Sequence, residues 1–325
     1  MRVWPIALVL SIASCGLQSV RGETRAQPSS QIAPPLRSGA TSSLPVPAHF
    51  RSVEDAVSGL ARIRDYFIAH QDRRGVFATA YLEATKTFQD WIRRRRFESN
   101  ERMSKYVVAF ANAYRQALAD YEQGEAAPEA WRLAFDVSRS GTSTVSEDLL
   151  LGINAHINHD LVFAILSAGL DVRSEACHRD HLRANEALRE ATPRVRQQIV
   201  AIYQPPGAWM SRLFASRIDE RTASSFVHAR NNSWAAATAI ATAASPRERN
   251  SFRRTVRRCA ALAAVSIQAN KNSPGRSLAV MTAANDLLSP VRSSSRKQMT
   301  VVALRRRTAH IADSPRPKNW SVVRE

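Results

Sequence analysis

The stretch from Leu149 to Leu166 constrains this chain more than any other. It reads Leu149-Leu150-Leu151-Gly152-Ile153-Asn154-Ala155-His156-Ile157-Asn158-His159-Asp160-Leu161 and continues apolar beyond. At about 100° per residue, Leu149, Ile153, His156, Asp160 and Phe163 share one helix face. Leu150, Ile157, Leu161 and Ile165 fill a second, and the remaining side still carries Leu151, Val162 and Leu166. A helix that is apolar nearly all round has to be enclosed by others. Its middle nevertheless holds Asn154, His156, Asn158, His159 and Asp160. Burying so many polar groups costs several kcal/mol unless each finds a partner.

The rest of the chain supplies the surrounding helices. Of 325 residues 44% are apolar, and only 11 are glycine, too few for the tight turns of a β-sandwich or barrel. Helical periodicity predicts segments over 53–74, 76–94 and 101–123, then a short helix behind Pro128 carrying Trp131 and Phe135. The central helix follows over about 146–169. Further segments fall at 174–190, 193–203, 206–218, 220–244, 247–270 and 277–288. The expected fold is all-α: one globular bundle of about ten helices around a buried central helix, spanning 50–289, with no repeat of fixed period.

The two ends read differently. Met1-Arg2 followed by ten largely apolar residues is too short to span a bilayer and predicts a signal peptide over 1–14. It ends Ile12-Ala13-Ser14-Cys15-Gly16, which resembles the bacterial lipobox and implies a lipid anchor on Cys15. The expected location is the cell envelope; cleavage a few residues later would give a periplasmic or secreted protein instead. No other stretch is read as long and apolar enough to span a membrane. Pro/Ser-rich residues 16–49 read as a tether, and 290–325 as a flexible basic tail.

Lys+Arg number 46 against 28 Asp+Glu, a formal +18. Only Lys86, Lys105, Lys271, Lys297 and Lys318 are lysines. Such a surface suits anionic lipid or lipopolysaccharide, whereas no nucleic-acid-binding motif accompanies it and specific nucleic-acid recognition is not expected. Three cysteines exclude a disulfide-dense scaffold and a multi-cysteine metal site. In an exported protein Cys177 and Cys259 are either a disulfide or two buried thiols.

The spacing His156-x-x-x-Asp160 stacks an imidazole and a carboxylate one turn apart. Two readings stay open. In one they are ligands to a divalent metal, zinc or manganese, which activates a water. In the other they form a buried structural network. Candidates to complete a metal site are His181 and His228. Asp180 would then act as base or orienter and Arg230 as the anion-binding group. His159, Asn154, Asn158, Asn185 and Trp234 are supporting polar residues. No Gly-rich phosphate loop, H-E-x-x-H, G-x-S-x-G or C-x-x-C is present. The leading functional reading is a metal-dependent hydrolase of a phosphoester or similar ester, and the alternative is a non-catalytic envelope protein.

Several motifs together carry a resemblance: Gly75-Val76-Phe77-x-x-x-Tyr81-x-x-x-Thr85, Phe110-Ala111-x-x-Tyr114, Ala130-Trp131-x-x-Ala134-Phe135, the Gly152-to-Leu161 core and Arg179-Asp180-His181. They resemble the bacterial domain-of-unknown-function family 5995 over about 53–188, and more loosely around Ala229-Arg230-x-x-x-Trp234. The resemblance implies one α-helical domain in which Asn154, His156, Asp160, Asp180, Asn185, Arg230 and Trp234 share a site; it implies no reaction. Val162 departs from the family pattern, where a proline often follows Asp-Leu. A looser geometric analogy is to all-helical zinc phospholipases C and nucleases, which carry several His-x-x-x-Asp turns where this chain has one.

Overall fold

A computed structural model describes residues 44, 46–203, 219–270 and 274–283. The expected signal peptide, Cys15, nearly all of the tether, the 206–218 segment and the basic tail lie outside the described residues.

Everything regular among the described residues is helical. The helices are α1 (Val53–Ala69), α2 (Gly75–Arg93), α3 (Asn100–Glu122), α4 (Glu129–Arg139), α5 (Val145–Asn154) and α6 (Leu161–Ser167). They continue with α7 (Glu175–Tyr203), α8 (Asp219–Ala241), α9 (Pro246–Ala269) and α10 (Pro274–Ala283). Local chemistry sets several starts. Ser52, Ser99, Thr144 and Ser245 each accept the amide N–H three residues on, which satisfies an otherwise orphaned helix donor. Gly124 and Gly169 follow α3 and α6 with φ of 72° and 69°, the left-handed stop that glycine adopts without a Cβ penalty.

α5 and α6 are one rod, joined by a π-helical segment over Ala155–Asp160. The rod is buried as expected, but its middle is not the α-helix that periodicity predicts. Length and composition would let Val145–Ser167 cross a membrane, its most apolar 18 residues having a mean hydropathy of 1.4. This corrects the reading that no stretch beyond the expected signal peptide is apolar enough. Since 78% of that 18-residue window is buried inside the protein, its apolarity serves the core. α2, α3, α4, α8 and α9 all pack against the rod.

Pro193 gives a second correction. Local preference places a break between helices at this residue, yet α7 runs through it uninterrupted. Proline forfeits one backbone hydrogen bond, but buried Ala184, Ala187, Ala191 and Ile199 line α7 on both sides of it, and the helix packs along α2. Burial on both flanks outweighs the lost bond.

The core is strongly aromatic around the rod. Phe77, Tyr114, Trp131 and Phe135 pack with Leu151 and Ala155 on one side. Tyr106, Trp91 and Trp234 join Leu161, Val162 and Ile165 on the other. Gly152 is what lets Phe77 in, because a Cβ there would sit 2.5 Å from the Phe77 ring.

Candidate functional site

The polar groups of the rod separate into two sets with different work. Asn154 donates to the Ala260 carbonyl at 2.9 Å. Asn158 donates to Asn154 Oδ1 and to the Met281 carbonyl, both at 2.9 Å. These amides tie the rod to α9 and α10. Ser233 of α8 donates to the Ile157 carbonyl at 2.8 Å, so a neighbouring helix bonds into the π segment. Such widened turns recur where a helix must re-aim side chains at a functional site.

The other set converges on Asp160, which is 2% exposed. Its Oδ2 accepts from Trp131 Nε1 at 2.8 Å and His156 Nδ1 at 3.1 Å, and its Oδ1 accepts from His159 Nδ1 at 2.8 Å. Burial on its own would raise the carboxyl; the hydrogen bonds from the two imidazoles outweigh it and hold the group below the usual carboxylate range. An ionised carboxylate only accepts, so each imidazole presents Nδ1–H to it.

That assignment leaves His156 Nε2 without a proton. Burial keeps the imidazole below its ordinary value, against the pull of Asp160. The ring stacks on Phe110 at 3.5 Å and 6°, with Tyr81 edge-on at 4.2 Å. Nε2 itself is buried and has no hydrogen-bond partner among the described residues. A buried acceptor normally finds a donor; the residue that carries this one belongs to the lining of a cavity.

The cavity has a volume of about 420 Å³, within the range of small-molecule sites. Its walls are mostly apolar, with Leu149, Ile153, Ile199, Val200, Phe226 and Leu278 among them, and Arg189, Thr192 and Arg196 also belong to the lining. His156, Tyr106, Asn185 and Arg230 supply polar groups to its lining.

Arg230 is 2% exposed. Among the described residues its hydrogen-bond partners are all neutral: Asn185 Oδ1 at 2.8 Å, Tyr106 Oη at 3.5 Å and the His181 carbonyl at 3.5 Å. No carboxylate among them pairs with it. Its field is felt at both histidines, where it disfavours protonation. His181 is fully buried, and burial followed by the Arg230 charge holds it well below its ordinary value. It uses both nitrogens, donating from Nε2 to the Arg230 carbonyl at 3.2 Å and accepting at Nδ1 from Tyr106 at 3.3 Å.

The remaining predicted residues are placed elsewhere. Asp180 accepts the amides of Glu98 and Ser99 at 2.7 and 3.1 Å and Arg102 Nη2 at 2.6 Å. Both oxygens anchor the start of α3, which corrects its reading as a base. Trp234 packs on His178 and His181, with ring centroids 5.2 and 4.9 Å apart. His228 is half-buried on α8 and does not line the cavity. The expected ligand set of His156, Asp160, His181 and His228 is not assembled: no three His, Cys, Asp or Glu among the described residues are placed to hold a metal. Asp160 already serves three donors and His181 two partners. Cys177 and Cys259 are buried free thiols rather than a disulfide, and burial pushes Cys259 up to about 11.

Trp131 is the residue that sequence reasoning missed. Its signal was available: a core indole N–H requires an acceptor, and Asp160 was a buried carboxylate short of donors.

Acid should expose this burial. His156 and His181 both sit below their ordinary 6.5, so below that pH the unfolded chain binds protons that the fold refuses. Their contribution is complete above 6.5 and is lost as pH falls towards their folded values, by up to about 1.4 kcal/mol per pH unit for each histidine. Urea midpoints should therefore drop between pH 7 and 5.5, and a flat profile would contradict neutral burial of the pair.

Fold and site thus define an all-α domain built around a buried His–Asp pair whose histidine lines a mostly apolar cavity. The model of a family of unknown function (DUF5995) matches residues 53–270, and the chain belongs to that family. No curated protein matches the chain, and no solved structure matches it.

Proposed function

We propose that this protein hydrolyses an ester that carries an apolar chain, with His156 as general base. The observation that carries the reading is a His156 Nε2 with no proton and no partner among the described residues, on a side chain that belongs to the cavity lining, its tautomer set by Asp160. A neutral imidazole oriented by a buried carboxylate is the arrangement that removes a proton from a nucleophile and stabilises the resulting imidazolium. Here the nucleophile is water. Nε2 takes one proton, and the hydroxide oxygen adds to the ester carbon. Collapse expels the alcohol oxygen, which takes that proton back from Nε2. The products are an acid and an alcohol.

The sequence adds a setting. The leader and Cys15 support an exported, lipid-anchored protein in a bacterial envelope. Exposed Arg247, Arg249, Arg253, Arg254, Arg257 and Arg258 on α9 suit an anionic lipid or lipopolysaccharide surface. The second reading, a non-catalytic envelope protein, draws on the same cavity as a binding site.

The test is hydrolysis of p-nitrophenyl esters of graded chain length by the full chain. Turnover that increases from the acetate to the decanoate ester, and that falls with acid as His156 protonates, supports the proposal. Rates equal to buffer for every ester, or equal in His156→Gln, would refute it.

A further inference from the structure

Arg230 poses a question that general-base chemistry does not answer. A guanidinium cannot shed its proton, and burying one away from water costs far more than neutral hydrogen bonds return. A fully buried guanidinium is therefore usually paired with an anion. Among the described residues this one is offered only an amide oxygen, a phenol and a backbone carbonyl, at 2.8, 3.5 and 3.5 Å, and it lines a mostly apolar cavity of about 420 Å³. The missing partner is an anion, and apolar walls select what comes attached to that anion.

We infer that the cavity binds a single-chain amphiphile with an anionic oxygen head group, the head meeting Arg230 and the acyl chain lying along the apolar walls. Asn185 accepts from Arg230 Nε at 2.8 Å, and Tyr106 and the His181 carbonyl hold Nη2 at 3.5 Å, so Nη1, which has no partner among the described residues, is the nitrogen that meets an oxygen of the head. His156 lines the same cavity, so the head lies near the group proposed as base. The inference rests on the hydrolase reading only for calling this ligand a substrate or product; binding stands by itself.

Two head groups share this chemistry, a carboxylate and a phosphate monoester. Titration of the full chain by calorimetry with dodecanoate, dodecyl phosphate and dodecanol separates them. Dodecanoate or dodecyl phosphate should bind at least about tenfold more tightly than dodecanol, the contribution of a buried charge-assisted pair. Whichever of the two binds more tightly names the head group. Arg230→Met should weaken the anionic ligand by at least about tenfold while leaving dodecanol within about threefold. His156→Gln should keep the binding and lose only hydrolysis, so failure of the catalytic reading is seen separately. Dodecanol binding as tightly as both anions would overturn the inference even if Arg230→Met does not fold. So would unchanged anion binding by Arg230→Met, or no saturable binding of any of the three.

Discussion

Asp160→Ala should destabilise the domain by about 3–5 kcal/mol, the cost of breaking a buried ionic network by deleting one partner. Three N–H groups lose their common acceptor at once: Trp131 Nε1, His156 Nδ1 and His159 Nδ1. Asp160 is 2% exposed and Trp131 0%, so water does not readily take the place of the carboxylate on the Nδ1 side of the imidazoles. Asp160→Asn is the informative companion. An amide oxygen accepts one or two of those donors, but its own N–H₂ then faces the third, so some of the loss remains. Urea unfolding followed by circular dichroism reads both variants. A loss below about 1 kcal/mol for Asp160→Ala would mean that the network contributes little beyond ordinary surface polarity.

His156→Gln should lower ester turnover by about 10²- to 10⁴-fold, the range expected when a general base is removed. Glutamine resembles imidazole in reach and can still hydrogen-bond Asp160 through its amide, but it offers no basic lone pair. The fold should therefore survive better than in Asp160→Ala, and the loss should fall on kcat more than on KM. A variant that melts early but keeps its turnover would reverse the assignment, leaving His156 as packing for Phe110 and Tyr81.

How much of this is legible in the sequence differs by feature. Helix positions are readable where period and punctuation agree: periodicity predicts 101–123, and Asn100–Glu122 is observed between the Ser99 cap and Gly124. Enclosure of the Leu149–Leu166 rod follows from its lack of a polar face. The π segment does not follow, because periodicity assumes a constant turn, and the widened one depends on neighbours such as Ser233, 76 residues from Ile157. Pro193 misleads for the same reason, since packing along α2 is invisible to local preference. The His156–Asp160 pair is visible because both residues lie on one helix. The Arg230 cluster draws Tyr106, His181 and Asn185 from two other helices, and only their assembly shows that the guanidinium lacks a carboxylate. Asp180 shows the converse error: a carboxylate beside two histidines reads as chemistry, while its partners, the Glu98 and Ser99 amides, are donors of a kind that nearly every residue carries.

The charge and tautomer of His156 bear most directly on all of this. Long-range ¹⁵N–¹H spectra of histidine-labelled protein at pH 7 report the two ring nitrogens separately. The expected spectrum shows a proton on Nδ1 and a bare Nε2 that shifts when dodecanoate or dodecyl phosphate is added. A doubly protonated ring, or a proton on Nε2 with Nδ1 bare, would contradict the hydrogen bond to Asp160 and remove the proposed base from the cavity.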